Sequence, residues 1–169
     1  MKLKTVEAIF KSLNDKNVRY LVAGGLAVVA HGYLRFTADI DLILDMDQKN
    51  LQQAMMVLDS LGYRPRPPVA LEDFADPEKR KSWIREKGLT VFSLWSSDHP
   101  ATEIDLFVEE QISFKEAYKA SIRLKVSEGI EATVIGLDDL ITLKKRAGRM
   151  RDLDDIEKLS DLSEGGDHD

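Results

Sequence analysis

Two aspartates one residue apart, Asp39 and Asp41, stand inside the apolar run "DIDLIL". Side chains alternate along a strand, so both carboxylates leave one face while Ile40 and Leu42 leave the other. Aspartate is depleted in strands, and two unneutralised carboxylates about 7 Å apart on one face repel each other. Either Asp39 is only a turn residue following Thr37-Ala38, or the pair is a site for a hard divalent cation. Such a site holds Mg²⁺ and leaves positions open for water and phosphate. A second acidic segment, "TEIDLFV" at 102–108, places Glu103 and Asp105 on one face in the same way. Laid beside 39–44, it completes a three-carboxylate cluster of Asp39, Asp41 and Asp105. Clusters of this kind suit two-metal phosphoryl or nucleotidyl transfer, one ion activating the attacking oxygen and the other steadying the leaving phosphates. Asp105 is also a candidate general base.

Upstream, Gly24-Gly25 separate a short strand from a short helix, where a phosphate can approach backbone N–H groups at the positive helix end. The pair matches neither of the common glycine-rich phosphate motifs, and its interest lies in preceding the aspartates by one short helix. Lys144 falls within the inward stripe of Leu137, Leu140, Ile141 and Gly148 on a helix, whereas Lys145 and Arg146 fall toward solvent. A lysine there needs an anion or a route out to water, and a triphosphate or an active-site carboxylate would serve. Asp152 projects beside Leu153, Ile156 and Leu159; with Asp155 it reads equally as a helix cap or as support for a site. Arg35 can neutralise phosphate or pair with Asp39. His31 and His99 show no metal-ligand pattern, and Trp83 and Trp95 read as packing residues.

The elements that must hold these groups follow from periodicity and breakers. Helix is expected at about 4–14, strand at 19–23, helix at 26–31, strand at 39–44 and helix at 48–61. A proline-rich connection follows, with one or two short helices. Strands at 89–95 and 102–108 flank the turn "SSDHPA", a hairpin occupies 121–135, and helices at 137–148 and 152–162 close the chain. The expected class is α/β (α+β): a central mixed β-sheet with flanking helices and a C-terminal helix pair. One domain over 1–162 and a flexible tail over 163–169 are expected, with no internal repeat.

Composition narrows the setting. At 169 residues and 43% hydrophobic content, the chain can bury a core. No apolar run suffices to cross a membrane, the amphipathic start is unlike a signal peptide, and the lack of cysteine fits a reducing cytoplasm. From Asp152 onward there are eight acidic residues and one lysine, so the net charge of −6 belongs to the C-terminal end. Just before it, "KKRAGRMR" is locally basic, and overall acidity does not argue against an anionic ligand.

The stretch "VAGGLAVVAHGYLRFTADIDLIL" resembles the signature of the DNA polymerase β-type nucleotidyltransferase superfamily: Gly-Gly or Gly-Ser, a short helix, then Asp-x-Asp on the next strand. Arg35, Thr37, Asp39 and Asp41, with the ending "LDDLITLKKRAGRMRDLDDIEKL", look most like small bacterial nucleotidyltransferases of the AbiEii toxin-like group. The resemblance implies a nucleotidyltransferase fold and transfer of a nucleoside monophosphate from an NTP to an acceptor hydroxyl. Asp39, Asp41 and Asp105 would carry one or two Mg²⁺ ions, and Lys144 would join them as a catalytic residue. Gly24, Gly25, Arg35, Lys144 and Asp152 would bind the nucleotide. Relatives often carry serine where Gly25 stands, so contact there would come from backbone N–H groups. Toxin–antitoxin partnership is implied, with tRNA or protein as acceptor and an antitoxin or a second copy as partner. Antibiotic-modifying enzymes share the Gly-Gly and Asp-Ile-Asp pattern, and a binding protein that kept the fold without the chemistry is a third reading. A tRNA acceptor would draw on Arg64, Arg66, Lys145 and Arg149.

Overall fold

Ile9, Phe10 and Leu13 recur at helical spacing and are wholly buried on α1 (Leu3–Asp15). The computed structural model describes residues 1–165. After α1 come β1 (Tyr20–Ala23), α2 (Gly24–Ala30), β2 (Asp39–Leu44) and α3 (Gln48–Ser60). Next are β3 (Tyr63–Pro65), a 3₁₀ turn at Leu71–Ala75, α4 (Pro77–Lys87), β4 (Val91–Ser96) and β5 (Glu103–Phe107). The described residues end with α5 (Phe114–Lys119), β6 (Ile122–Ser127), β7 (Ile130–Val134), α6 (Leu137–Ala147) and α7 (Met150–Gly165). The backbone of α7 is followed to Gly165, and most of the tail expected at 163–169 lies outside the described residues.

The expected mixed α/β class is the observed one, and local chemistry fixes most boundaries. Asp47 caps α3 by accepting from the Asn50 N–H, and Asp76 caps α4 ahead of Pro77. Gly148, in the left-handed region at φ +64°, ends α6 and turns the chain into α7. Two elements were not foreseen: β3 is three residues long in proline-rich sequence, and α5 is a six-residue helix capped by Ser113. Pieces that short carry too few periods to read.

The seven strands form one sheet in the order β3-β4-β5-β2-β1-β7-β6. The β2–β5 and β1–β7 pairings are parallel and the other four antiparallel. Register assigns the two faces. Tyr20 lies opposite Leu44 and its ring stacks on Phe10 of α1 at 5.7 Å, so α1 covers the face bearing Ile40, Leu42 and Leu44. Phe92, opposite Leu106, meets Phe74 at 5.2 Å and Trp83 at 5.1 Å, which brings the 3₁₀ turn and α4 onto that same face. Wholly burying a side chain such as Phe92 contributes ~1.5–3 kcal/mol. Trp83 is thus a packing residue, as expected. Asp39, Asp41 and Asp105 project from the opposite face. Among the described residues no helix is long and apolar enough to cross a membrane.

The Tyr20 hydroxyl ties this core together. It donates to Asn14 Oδ1 at 2.9 Å and accepts from the buried Thr133 N–H at 3.3 Å; burial pushes the phenol up to about 12. Tyr20→Phe strands the Thr133 N–H, and urea denaturation is expected to show a loss of ~1–3 kcal/mol.

Candidate active site

The acidic strands meet as the alternation pattern requires. In the parallel β2–β5 ladder Asp41 lies directly opposite Asp105, and Asp39 opposite Glu103. Neighbouring strands run about 4.8 Å apart, so like charges are crowded on this face. Burial, then Asp105, then Asp39 push Asp41 up to about 6, against the pull of Lys144 and Arg149. Asp39 is also raised, by burial and then by Asp105 and Glu103, while Arg151 pulls it down. Glu103 is engaged by Arg66. Asp105 Oδ1 is buried and has no hydrogen-bond partner. Asp39 therefore belongs to the strand and faces the same way as Asp41, which rules out its reading as a turn residue alone.

Gly24 is what allows Asp41 its place. Its φ is +61°, and a Cβ built on it would lie 1.8 Å from Asp41 Oδ2. The backbone of the β1–α2 turn is thus laid against the carboxylate. A Cβ on Gly25 would meet Thr37 Oγ1 at 2.8 Å and Arg35 Nη2 at 2.9 Å. The space over Gly25 is occupied from the side by the 33–38 loop. Thr37, quoted in the motif but given no role by sequence reasoning, comes to the site this way.

Lys144 has found its anions within the protein. It is 5% exposed, with Nζ 2.9 Å from Asp155 Oδ2 and 3.4 Å from Asp152 Oδ1. Arg35 reaches Asp155, with Nε 3.1 Å from Oδ1 and Nη2 donating to Oδ2 at 3.2 Å, so the alternative pairing with Asp39 is not formed. Arg149 donates to Asp152 through Nε at 2.7 Å and through its backbone N–H at 3.2 Å. Capping and site support coincide in Asp152: it takes the Arg149 N–H at the start of α7 and also holds Lys144. Burial raises the Asp152 carboxyl, yet the Arg149 hydrogen bond and the Lys144 and Arg149 charges leave it below its usual range. Three cations on two carboxylates leave one positive charge in surplus beside the acidic strands. Removing one partner from such a buried group costs ~3–5 kcal/mol.

Asp155, wholly buried, is the residue sequence reasoning placed least well. The projection of α7 set Leu153 inward, but Leu153 is half exposed and Asp155 takes the inward position. The signal lay in the third-residue spacing from Asp152, which puts both aspartates on one helical face. His31 Nε2 lies 2.8 Å from the Ile135 carbonyl oxygen and His99 Nδ1 3.0 Å from Thr5 Oγ1, both away from the carboxylates. Trp95, read as packing, is exposed on the carboxylate face.

A cavity of about 540 Å³ opens over these groups. Gly24, Asp41, Asp105, Lys144 and Asp152 line one part of it; Val91, Phe107, Leu140 and Leu143 form an apolar part. A larger depression of about 740 Å³, lined by Met55, Met56 and Leu71 among others, lies between α3 and the 3₁₀ turn on the opposite face and holds none of the site residues. Among the described residues no three Asp, Glu, His or Cys side chains close into a ready-made cation cage. The donor set nevertheless fits a hard cation: carboxylate oxygens on one face, one of them unpartnered, with ionisation opposed by crowding.

Two expectations follow. Gly24→Ala drives a methyl group into Asp41 and strains the turn; it should displace the carboxylate and lower stability by ~1–3 kcal/mol, read by urea denaturation. Asp41, raised from 3.8 to about 6, favours the fold when neutral. That stabilisation is complete below about pH 4 and is lost as pH rises through about 6. Asp41→Asn should therefore be more stable than wild type by ~1–3 kcal/mol at alkaline pH without divalent cations, the difference vanishing in acid.

The fold has solved counterparts. LnuA, a lincosamide antibiotic adenylyltransferase in its lincomycin-bound form, matches with a TM-score of 0.60 at 16% identity, over 96% of this chain and 98% of that one. ANT(2'')-Ia in complex with adenylyl-2''-tobramycin matches at 0.54 and 16% identity, over 95% and 93%. An antigenic nucleotidyltransferase-like protein from Paracoccidioides brasiliensis matches at 0.55 and 17%, over 95% and 76%. Identities this low establish a shared fold and not a shared substrate. No curated protein matches the sequence. The family described as "Nucleotidyltransferase of unknown function (DUF6036)" matches residues 1–165, and the chain belongs to that family of nucleotidyltransferases.

Proposed function

We propose that this nucleotidyltransferase moves a nucleoside monophosphate from an NTP to an acceptor hydroxyl at the face bearing Asp39, Asp41 and Asp105. The observation that carries this reading is the in-register Asp41–Asp105 pair on the wall of a cavity that Lys144 also lines, with one buried Asp105 oxygen left without a hydrogen-bond partner. Mg²⁺, held by Asp39, Asp41 and Asp105, would neutralise the crowded carboxylates and polarise the phosphates.

The chain's own groups divide the remaining work. Gly24 and Gly25 bring backbone close to the phosphates where any larger residue would strike Asp41, Thr37 or Arg35. Lys144 has three N–H donors; Asp152 and Asp155 engage two, and the third is left for a phosphate oxygen. Arg35 and Asp152 support the nucleotide by fixing that ammonium's anionic partners. The Asp105 carboxylate accepts the proton of the attacking hydroxyl while the new O–Pα bond forms. The bond from Pα to the bridging oxygen breaks, and pyrophosphate leaves with the electron pair.

The AbiEii-like pattern supports a toxin of a toxin–antitoxin pair, working in the cytoplasm on tRNA or protein and covered by an antitoxin or a second copy when silent. Antibiotic adenylylation is the second reading, favoured by the near-complete overlap with LnuA and ANT(2'')-Ia.

Calorimetric titration of a non-hydrolysable NTP analogue with Mg²⁺ tests the core of the proposal. Wild type is expected to bind in the range of ~1 μM to 1 mM, and Asp39→Ala/Asp41→Ala to lose binding. Failure of wild type to bind any of the four nucleotides would overturn it. Radiolabelled NTPs incubated with total tRNA, cell protein and aminoglycosides or lincosamides then identify the acceptor.

A further inference from the structure

The carboxylates do not end the open face of the sheet. Ser93 lies opposite Asp105 on β4, so Trp95, two residues along the same strand, projects from the carboxylate face. Burial along β4 follows this alternation: Phe92, Leu94 and Ser96 are buried, while Trp95 is 43% exposed. Strand spacing puts the Trp95 backbone about 8 Å from that of Asp105, one strand over and two residues along. Arg64 of β3 lies opposite Trp95. Arg66 continues that edge, its N–H donating to the Ser93 carbonyl at 2.9 Å and its guanidinium reaching Glu103. An exposed indole is therefore bordered by Arg66 on the strip of sheet that leads to the carboxylates, while Arg64, at the edge of the sheet, turns its guanidinium to Asp59 near the end of α3.

We infer that this strip is the acceptor-binding surface and that its ligand is a single-stranded nucleic acid, a base stacking on Trp95 and its phosphates engaging Arg64 and Arg66. This assignment rests on the transfer reading for what lies at the end of the strip, and it names the acceptor class. Aromatic stacking with flanking guanidinium groups recognises a single strand without demanding a sequence. Arg64 is held by the exposed carboxylate of Asp59, and Arg66, itself exposed, by the half-buried Glu103. Solvent-screened pairs contribute little and yield to a phosphate. On the other flank, Arg151 acts on Asp39 and Arg149 lines the cavity, so a strand laid across the carboxylates meets positive charge on both sides.

The test is fluorescence anisotropy of a short labelled single-stranded RNA with a free 3′-hydroxyl, titrated with the full chain at several salt concentrations. Quenching of the protein's own tryptophan emission is followed in parallel. Wild type is expected to bind in a salt-dependent manner and to be quenched through Trp95, because Trp83 is packed on Phe92. Trp95→Ala should weaken binding about tenfold, and Trp95→Phe should restore most of it. Arg64→Ala/Arg66→Ala should weaken binding and flatten its salt dependence. Arg85→Ala, the same charge change at an exposed arginine of α4, is the matched control and should bind as wild type does. Equal RNA affinity in wild type and Trp95→Ala overturns the inference. So does a wild type that binds no RNA but takes up an aminoglycoside with quenching. The two readings fail separately. RNA bound at Trp95 without any Mg²⁺-dependent NTP binding removes the transfer reading alone, and NTP binding without RNA quenching removes the acceptor surface alone.

Discussion

Asp41 and Asp105 stand opposite each other on adjacent parallel strands, and the arrangement of this face follows from the repulsion between them. Two carboxylates at strand spacing resist joint ionisation, and the core that buries Ile40 and Leu42 behind them leaves the aspartates no alternative direction. A one-residue slip of β2 against β5 would relieve the charges but turn the apolar set into solvent. Register is therefore held by the core, while the electrostatic cost is left on the open face. The surrounding groups answer that cost: Gly24 removes a side chain from the path of Asp41, and Lys144 and Arg149 bring positive charge toward it.

The cationic side needs its own support. Lys144 and Arg35 are held inward by Asp152 and Asp155, which come from the helix after α6. One consequence is that the 33–38 loop, α6 and α7 are joined through charges as well as through buried side chains such as Leu140 and Leu159. Another is that neither Lys144 nor Arg35 is a loose cation waiting for phosphate. Each is already oriented, which lowers the ordering cost when a ligand arrives.

Much of this could be read from the residues. Alternation placed Asp39, Asp41 and Asp105 on one face because a two-residue period leaves no ambiguity once the apolar partners are buried. Helical projection put Lys144 inward for the same reason. Projection misplaced Leu153 because it assumes that the apolar residue wins the inward position, and the buried cations reversed that preference in favour of Asp155. Trp95 was misread because a tryptophan in a strand is most simply assigned to the core. Only the full strand order shows that its side of the sheet remains open. The Arg35–Asp155 contact joins residues far apart in sequence, and no local pattern encodes it.

The strand order bears also on how the protein is made. β4 and β5 are joined by a short turn and pair locally, whereas β2 meets β5 only after α3, β3 and α4 have intervened, and β1 meets β7 across most of the chain. Parallel pairings over such separations bear the greater loop-closure entropy and form late. A chain emerging from the ribosome thus carries Asp39 and Asp41 well before it carries Asp105, and longer still before Lys144. Nascent and partly unfolded molecules have no assembled carboxylate pair, so the chemistry belongs only to the finished sheet.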